Sequence, residues 1–282
     1  MSPIELGGAA LRPDELRRAV LAPGRLWSRL DVVAETGSTN DDLLAAARAG
    51  AAEGTVLAAE HQTRGRGRQG RQWVSPTGSA LIFSVLLRPV EVPPADRGWL
   101  PLLTGVAVAR ALREVAGVDA ALKWPNDVLA GEGKLAGILA EQAGQAIVVG
   151  VGLNVAQARD ELPPVGPGAL PPTSLALLGG GTDRTGFDAP SRSGRPPGRT
   201  DRETLLVGIL AELEDWYRRW TRPSPGDAEG SGLRAEYLQR SATIGREVRV
   251  DLPGGTALTG MAAGIDPVGR LIVDTASGPA AV

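Results

Sequence analysis

Apolar and polar positions change period several times along this 282-residue chain, and the changes mark out its elements. Pro13 to Leu21 reads as a short helix, and Leu30 to Glu35 as a strand. The strand runs into Thr36-Gly37-Ser38-Thr39-Asn40-Asp41-Asp42. There, Ser38 with Asp41 and Thr39 with Asp42 both have helix-capping spacing, so a helix to about Arg48 is expected. Thr55 to Glu60 is a second strand, followed by a glycine–arginine loop. Ser75-Pro76-Thr77-Gly78 has turn chemistry, and Ala80 to Arg88 is a continuous apolar strand expected to be buried on both faces.

Trp99 to Ala116 carries apolar residues at helical spacing and ends at Gly117, a C-cap residue. Three strands are expected next: Ala121–Trp124 continued by Val128–Ala130, then Lys134–Gln142, then Ala146–Val151. The Gly131-Glu132-Gly133 turn makes the first two a hairpin. The stretch 181–200, rich in Gly, Pro, Arg and Ser, has no period and is expected to be a disordered insert. Glu203 to Trp220 is an amphipathic helix with Leu205, Ile209, Leu213, Trp216 and Trp220 on one stripe. A further helix, Leu233 to Ser241, leads to a glycine-punctuated run of strands, Thr243 to Thr275, read as a small barrel. The expected class is α+β: an N-terminal extension at 1–29, a mixed α+β domain at 30–222 and a β appendix at 233–282.

Composition narrows the chemistry. There is no cysteine and only one histidine, His61, which excludes thiolate nucleophiles, zinc–thiolate sites and His-rich metal centres. His61 adjoins Gln62 and reads as packed at a pocket rim. A net charge of −2 gives no bulk argument for nucleic acid or a membrane surface as the main partner. No apolar stretch approaches a bilayer span and no leader pattern is present, so a cytoplasmic location is expected. Catalysis must then rest on positioning and charge stabilisation, with a hard cation such as Mg²⁺ held by oxygens. Phosphoryl or nucleotidyl transfer suits that profile better than acyl hydrolysis.

The strongest local signal is Thr63-Arg64-Gly65-Arg66-Gly67-Arg68-Gln69-Gly70-Arg71-Gln72-Trp73. Glycines let the backbone aim N–H groups at an anion, and arginines add fork-shaped donors for phosphate or carboxylate. Charges this dense repel, so the empty loop is expected to move and to order around an anion. An RNA-binding arginine–glycine tract or a solvated linker is the alternative; against it, core strands flank the loop on both sides.

Of the 30 basic residues only Lys123 and Lys134 are lysine, and both lie in Lys123-Trp-Pro-Asn-Asp-Val-Leu-Ala-Gly-Glu-Gly-Lys134. An ammonium is a compact point charge, so a narrow site gripping a carboxylate or phosphate oxygen accepts it where a guanidinium does not fit. The alternative is a leftover of an arginine-biased composition. Asn126 and Asp127 follow Trp124-Pro125 where they face a pocket; Asp127 either forms a plain ion pair with the lysines or reaches a metal or an incoming amine. Gly150-Val-Gly152-Leu-Asn154 is a glycine-interrupted strand that allows close approach, and is neither a dinucleotide fingerprint nor a Walker loop.

Together these residues resemble biotin–protein ligases (biotin–acetyl-CoA-carboxylase ligases). The likeness rests on Ser38-Thr39-Asn40, the span Glu60 to Trp73, Ser75-Pro76, Lys123-Trp-Pro-Asn-Asp127, Lys134-Leu-Ala-Gly-Ile-Leu and Gly152-Leu-Asn154, in family order over about residues 30 to 275. It implies a mixed-sheet catalytic domain like that of class II aminoacyl-tRNA synthetases, with a C-terminal SH3-like β-barrel. It also implies a two-step reaction: biotin and ATP with Mg²⁺ form biotinyl-5′-AMP, and a lysine of a biotin carboxyl carrier protein then takes the biotin.

By position, the resemblance gives Ser38, Thr39, Asn40, Gln62 and Gly137 to biotin, and folds Arg66, Gly67 and Arg68 over biotin and the adenylate. It gives Gly65, Gly70, Arg71, Trp73, Asn126 and Asn154 to the nucleotide, and Lys134 bridges the biotin carboxylate and the α-phosphate. Lys123 and Asp127 serve ATP, a metal (at Asp127) or the acceptor lysine, with the three left open. Longer family members start with a DNA-binding helix-turn-helix for which this chain has no room, so no DNA binding is expected. Two further departures are the length of the insert and the lack of a last strand in the β module. Lipoate–protein ligases are the nearest rival, sharing the chemistry without the Gly-Arg-Gly-Arg-x-Gly pattern. Monomer and homodimer both remain open.

Overall fold

The computed structural model describes residues 10–165, 170–179, 202–252 and 255–282; the expected insert at 181–200 lies outside them. Helix α1 (Pro13–Val20) starts on a proline with Asp14 and Glu15 in its first turn, where the helix dipole favours acids. β1 (Arg29–Thr36), α2 (Thr39–Arg48) and β2 (Thr55–Gln62) form a crossover with the two strands parallel. β3 (Ala80–Leu87) returns antiparallel and is buried at every position, as its unbroken apolar run requires. Helix α3 (Trp99–Ala116) ends at Gly117 in the left-handed conformation, φ 66°. β4 (Ala121–Lys123), β5 (Asp127–Ala130), β6 (Gly133–Ala143) and β7 (Ala146–Asn154) complete a mixed seven-stranded sheet in the order β1-β2-β3-β7-β6-β5-β4.

One expectation is corrected here. Ala121–Trp124 and Val128–Ala130 do not continue into one strand; they are separate antiparallel strands reversing at Trp124-Pro125-Asn126. Pro125 has no N–H to give a ladder, so the chain turns there and places Asn126 and Asp127 at a strand end.

Short α4 (Leu175–Gly179), long α5 (Arg202–Thr221) and α6 (Leu233–Gln239) follow. The chain closes with β8 (Glu247–Asp251), β9 (Ala257–Ile265), β10 (Leu271–Thr275) and β11 (Gly278–Ala281), an antiparallel sheet in the order β11-β10-β9-β8. The strand run therefore extends past Thr275. Gly278-Pro279-Ala280-Ala281 has no β-branched or aromatic residue to announce a strand, and its pairing with β10 supplies the ladder.

The main core lies between one face of the large sheet and α3 with α5, whose stripe Leu205, Ile209, Leu213, Trp216 and Trp220 is buried as its spacing predicts. The opposite face carries only α2, packed through Leu43, Leu44 and Ala47 onto Leu57, Leu86 and Val148. Beyond α2 on that face, β6 and β7 border a cavity. The small sheet is tied to the other edge: β4 bridges through Leu122 to Ser241, the Trp124 indole donates to Gly269 O (3.2 Å) and the Trp99 indole to Pro267 O (2.7 Å).

The start of the described chain is pinned by charge. Arg12 donates to Glu203 from its backbone N–H and its guanidinium, while Arg202 pairs with Glu60 at 2.8 Å. Burial acts to raise the Glu203 carboxyl, and the Arg12 hydrogen bonds outweigh it, holding Glu203 below the usual carboxylate range. A depressed folded value stabilises the fold above the unfolded value, about 4.3, and the gain disappears as pH falls through the folded value. Glu203→Gln is therefore expected to cost about 1–2 kcal/mol at pH 7, the scale of hydrogen bonds to a charged group. Thermal melts should show the gap to wild type narrowing as pH falls below about 4; a gap that does not change with pH down to the acid limit of folding would refute the assignment.

Candidate functional site

On the α2 face of the sheet, α2, the Thr63–Trp73 loop, β6, β7 and the small sheet enclose a cavity of about 1010 Å³. Glycines leave part of its floor as bare backbone between Ile82 and Leu139. Gly137 on β6 pairs directly with Gly152 on β7, and the Trp73 ring lies across both. A Cβ at Gly152 would fall 2.4 Å from the indole, and one at Gly150 would fall 2.2 Å from Asn40 Oδ1. The glycine-interrupted strand thus admits two of the chain's own side chains.

The first wall is the N-terminus of α2. Of the two capping pairs, the structure uses Ser38, whose hydroxyl accepts from the Asp41 N–H. That fold-back presents Thr39 and Asn40 inward. Thr39 N–H and Oγ1 meet Gln62 Oε1 at 2.8 and 3.0 Å, and Thr39 Oγ1 lies 2.7 Å from Ser84 Oγ. Ser84 donates to Asn40 Oδ1 at 2.6 Å, and Asn40 Nδ2 donates to Leu139 O (3.1 Å) and Glu141 Oε2 (2.8 Å). Two hydroxyl protons serve three oxygen contacts along this chain; with Ser84 donating to Asn40, the Thr39 hydroxyl donates to Gln62 or to Ser84 but not to both. Ser84 and Glu141 had not been singled out from the sequence. Ser84 did leave a signal, as the sole polar residue in an otherwise apolar strand.

The glycine–arginine loop is a small hairpin lying over the cavity. Arg66 bridges Gln72, Gly67 N–H donates to Arg71 O (2.7 Å) and Trp73 N–H to Gly65 O (3.0 Å). At its tip Gln69 and Gly70 have φ 55° and 73°; for Gln69 this costs about 1 kcal/mol or more. Arg66 is held by Asp41 and, at 2.7 Å, by Glu141. Arg68 and Arg71 line the cavity, are exposed, and form no ion pair among the described residues.

The lysines form the far wall. Lys134 Nζ lies 2.6 Å from Asp127 Oδ1, the plain ion pair among the roles open to Asp127. The Lys134 backbone is braced by Pro171 O and Thr173 N–H at 2.8 and 2.9 Å. Lys123, opposite Asp127 in the β4–β5 pair, is exposed at the rim. Asn126 lines the cavity, but its amide donates to Ile138 O (2.9 Å), locking the turn to β6.

Gly65, Gly70 and Asn154 are not on the cavity wall. Asn154 shares the face of Gly150 and Gly152 but lies past the cavity's end, between Thr173 O and Gln157, where it supports the segment bracing Lys134. His61 is off the wall too, its Nδ1 buried without a partner. The small sheet adds Glu247, Arg249 and Asp251 to the wall, contributions with no motif to mark them in the sequence. The arrangement suits two anions brought together, with cations on two sides, a neutral hydrogen-bonding pocket on a third, and no nucleophile required.

Residues 34–155 match the biotin/lipoate A/B protein ligase family, and residues 243–281 the biotin protein ligase C-terminal domain. The chain is 46% identical to a biotin–acetyl-CoA-carboxylase ligase of Mycobacterium tuberculosis, over 94% of this chain and 91% of that protein. A Paracoccus denitrificans protein of the same name is 35% identical over 86% and 92%. Among solved structures, the Aquifex aeolicus biotin protein ligase in complex with biotin and ATP superposes with a TM-score of 0.71, at 27% identity, covering 91% of this chain and 96% of that one. No described helix is long and apolar enough to cross a membrane.

The glycine floor is directly testable. Gly152→Ala should fold but displace Trp73, visible in a crystal structure, and lower turnover by roughly a hundredfold, as an ångström-scale misplacement does. Turnover equal to wild type would mean that Trp73 has no part in the site.

Proposed function

The chain belongs to the biotin/lipoate A/B protein ligase family and is a biotin protein ligase, and we propose that this cavity carries out both of its steps. In the first, a biotin carboxylate oxygen attacks the α-phosphorus of ATP. The bond to pyrophosphate breaks, giving biotinyl-5′-AMP. In the second, the amine of a carrier-protein lysine attacks the biotinyl carbonyl; an amide forms and AMP leaves with the bonding pair.

What supports the reading is the meeting, in one cavity, of a neutral polar pocket, two lysine ammonium groups and an arginine-studded flap. Thr39, Asn40 and Gln62 present alternating donors and acceptors to the cyclic urea of biotin, with Ser38 shaping the turn. Lys134 exchanges its Asp127 partner for the two incoming anions and neutralises charge that builds as they join. Arg66 and Arg68 close over the acyl-adenylate and keep water from it, with Gly67 giving the flap its close approach. Trp73 supports the adenine above the Gly137–Gly152 floor, and Arg71 and Lys123 meet the outer phosphates. Gly65, Gly70, Asn126 and Asn154 act on the nucleotide indirectly, through the shape of the flap and the far wall.

Mg²⁺ fits as an ion carried by the nucleotide. It keeps several waters and takes one or two carboxylates besides phosphate oxygens. Among the described residues no cluster of three acidic or imidazole groups exists, and Asp127 is the carboxylate beside the lysines that would face it. The ion would offset phosphate charge. The acceptor in this reading is a biotin carboxyl carrier protein of a carboxylase, the setting is the cytoplasm, and no role in DNA binding is assigned.

Biotin-dependent ATP–pyrophosphate exchange is the decisive assay. Exchange with biotin and none with lipoate is expected; lipoate dependence, or salt-sensitive RNA binding without ATP turnover, would overturn the reading. Lys134→Arg, though it conserves charge, is expected to slow exchange by about a hundredfold or more while leaving Tm within about 2 °C, since a guanidinium cannot occupy the ammonium's place. Arg68→Gly should release biotinyl-AMP early, so that bystander lysines become labelled; labelling confined to the carrier would rule out the flap's closing role.

A further inference from the structure

One carboxylate oxygen joins the two halves of the site. Glu141 Oε2 accepts from Asn40 Nδ2 at 2.8 Å and from Arg66 at 2.7 Å. Asn40 is buried and ends the polar chain through Ser84 and Thr39 to Gln62, while Arg66 belongs to the flap. Glu141 is itself on β6, seven residues from Lys134, and both lie on the strand whose Gly137 floors the cavity. The Glu141 side chain is 24% exposed, so its attraction for Arg66 is only partly screened. Asp41, the second acid on Arg66, is 51% exposed and has no hydrogen bond to Asn40, so it cannot make the same link.

We propose that Glu141 is a positioning residue for adenylation: it orients the Asn40 amide in the ring-recognition pocket and, through the same oxygen, sets the rest position of Arg66 and hence of the flap. This rests on the biotin ligase reading and deepens it. The two roles make different demands. Orienting Asn40 needs only an acceptor oxygen, because Asn40 Nδ2 must donate outward for its Oδ1 to face Ser84. Holding Arg66 needs the negative charge. Removing the carboxylate should therefore disturb biotin binding and flap closure together, and replacing it by an amide should separate them.

The test compares Glu141→Ala, Glu141→Gln, Arg66→Ala and the Glu141→Ala/Arg66→Ala double variant, measuring the biotin KM and kcat in pyrophosphate exchange and the escape rate of biotinyl-AMP. Glu141→Ala should raise the biotin KM about tenfold, the scale of one lost hydrogen bond to a charged group, and speed adenylate escape. Glu141→Gln should restore the KM to within about threefold of wild type yet still leak adenylate as the alanine variant does. The double variant should leak no faster than Arg66→Ala alone. A purely structural role would instead lower Tm and kcat without rescue of KM by glutamine. A wild-type KM and escape rate in Glu141→Ala, or strictly additive leakage in the double variant, overturns the proposal. Should the alanine variant not fold, the glutamine variant's separation of KM from leakage decides alone. Absence of biotin-dependent exchange in the wild type would defeat the functional reading itself, a result distinct from either.

Discussion

The site exists because two adjacent strands present backbone where a sheet normally presents side chains. Gly137 and Gly152 sit opposite each other on β6 and β7, and Gly150 lies one residue pair further along the same face. With any side chain at Gly150 or Gly152, Asn40 or the Trp73 ring could not reach the sheet. Each glycine weakens its strand, by backbone entropy and by lost packing. β7 tolerates this because it is buried along its whole length, beside the fully buried β3, so tertiary packing holds a strand that local propensity would not.

Two of the site's cations are paired internally. Lys134 rests on Asp127, and Arg66 on Asp41 and Glu141. An anionic ligand then competes with an internal carboxylate instead of filling an uncompensated hole. The pairs are part-exposed, at 30% and 17% for Lys134 and Asp127 and 39% and 24% for Arg66 and Glu141, so solvent screens them in part and an anion can compete. What such pairing secures is geometry: side chains are already near where the reaction needs them, which limits the ordering cost on binding. Arg68 and Arg71, with no such partners, are the cations left to gain most from an arriving anion.

Much of this was legible in the residues. The β1–α2–β2 crossover, the buried β3, the Trp99–Ala116 helix with its Gly117 cap and the stripe of α5 all follow from periodicity, because each element buries one face against a large core. Motif chemistry singled out the flap, the lysine segment and the Ser38-Thr39-Asn40 turn, and these do meet at one cavity. Legibility failed where local signals were silent or ambiguous. The two segments flanking Trp124-Pro125-Asn126 are too short to show a period of their own, and β11 has strand geometry without strand residues. Asn154, expected at the nucleotide, is hydrogen-bonded to Thr173 O and Gln157, and a polar residue at a strand end has the same sequence signature as a brace or as a ligand group.

By itself, then, the sequence determined the identity of the elements, the cations of the site and the chemistry they permit, since these depend on residue type and short-range spacing. Only the tertiary structure decided which carboxylates neutralise which cations, that Ser84 and Glu141 complete the polar chain, and that Glu247, Arg249 and Asp251 close the cavity from the small sheet. Several of those contacts join distant residues: Ser84 to Asn40 is 44 positions and Asn40 to Glu141 is 101. Charge pairing and hydrogen bonding act over a few ångströms of space, and no periodicity along the chain encodes which distant segments the packed core will bring within that range.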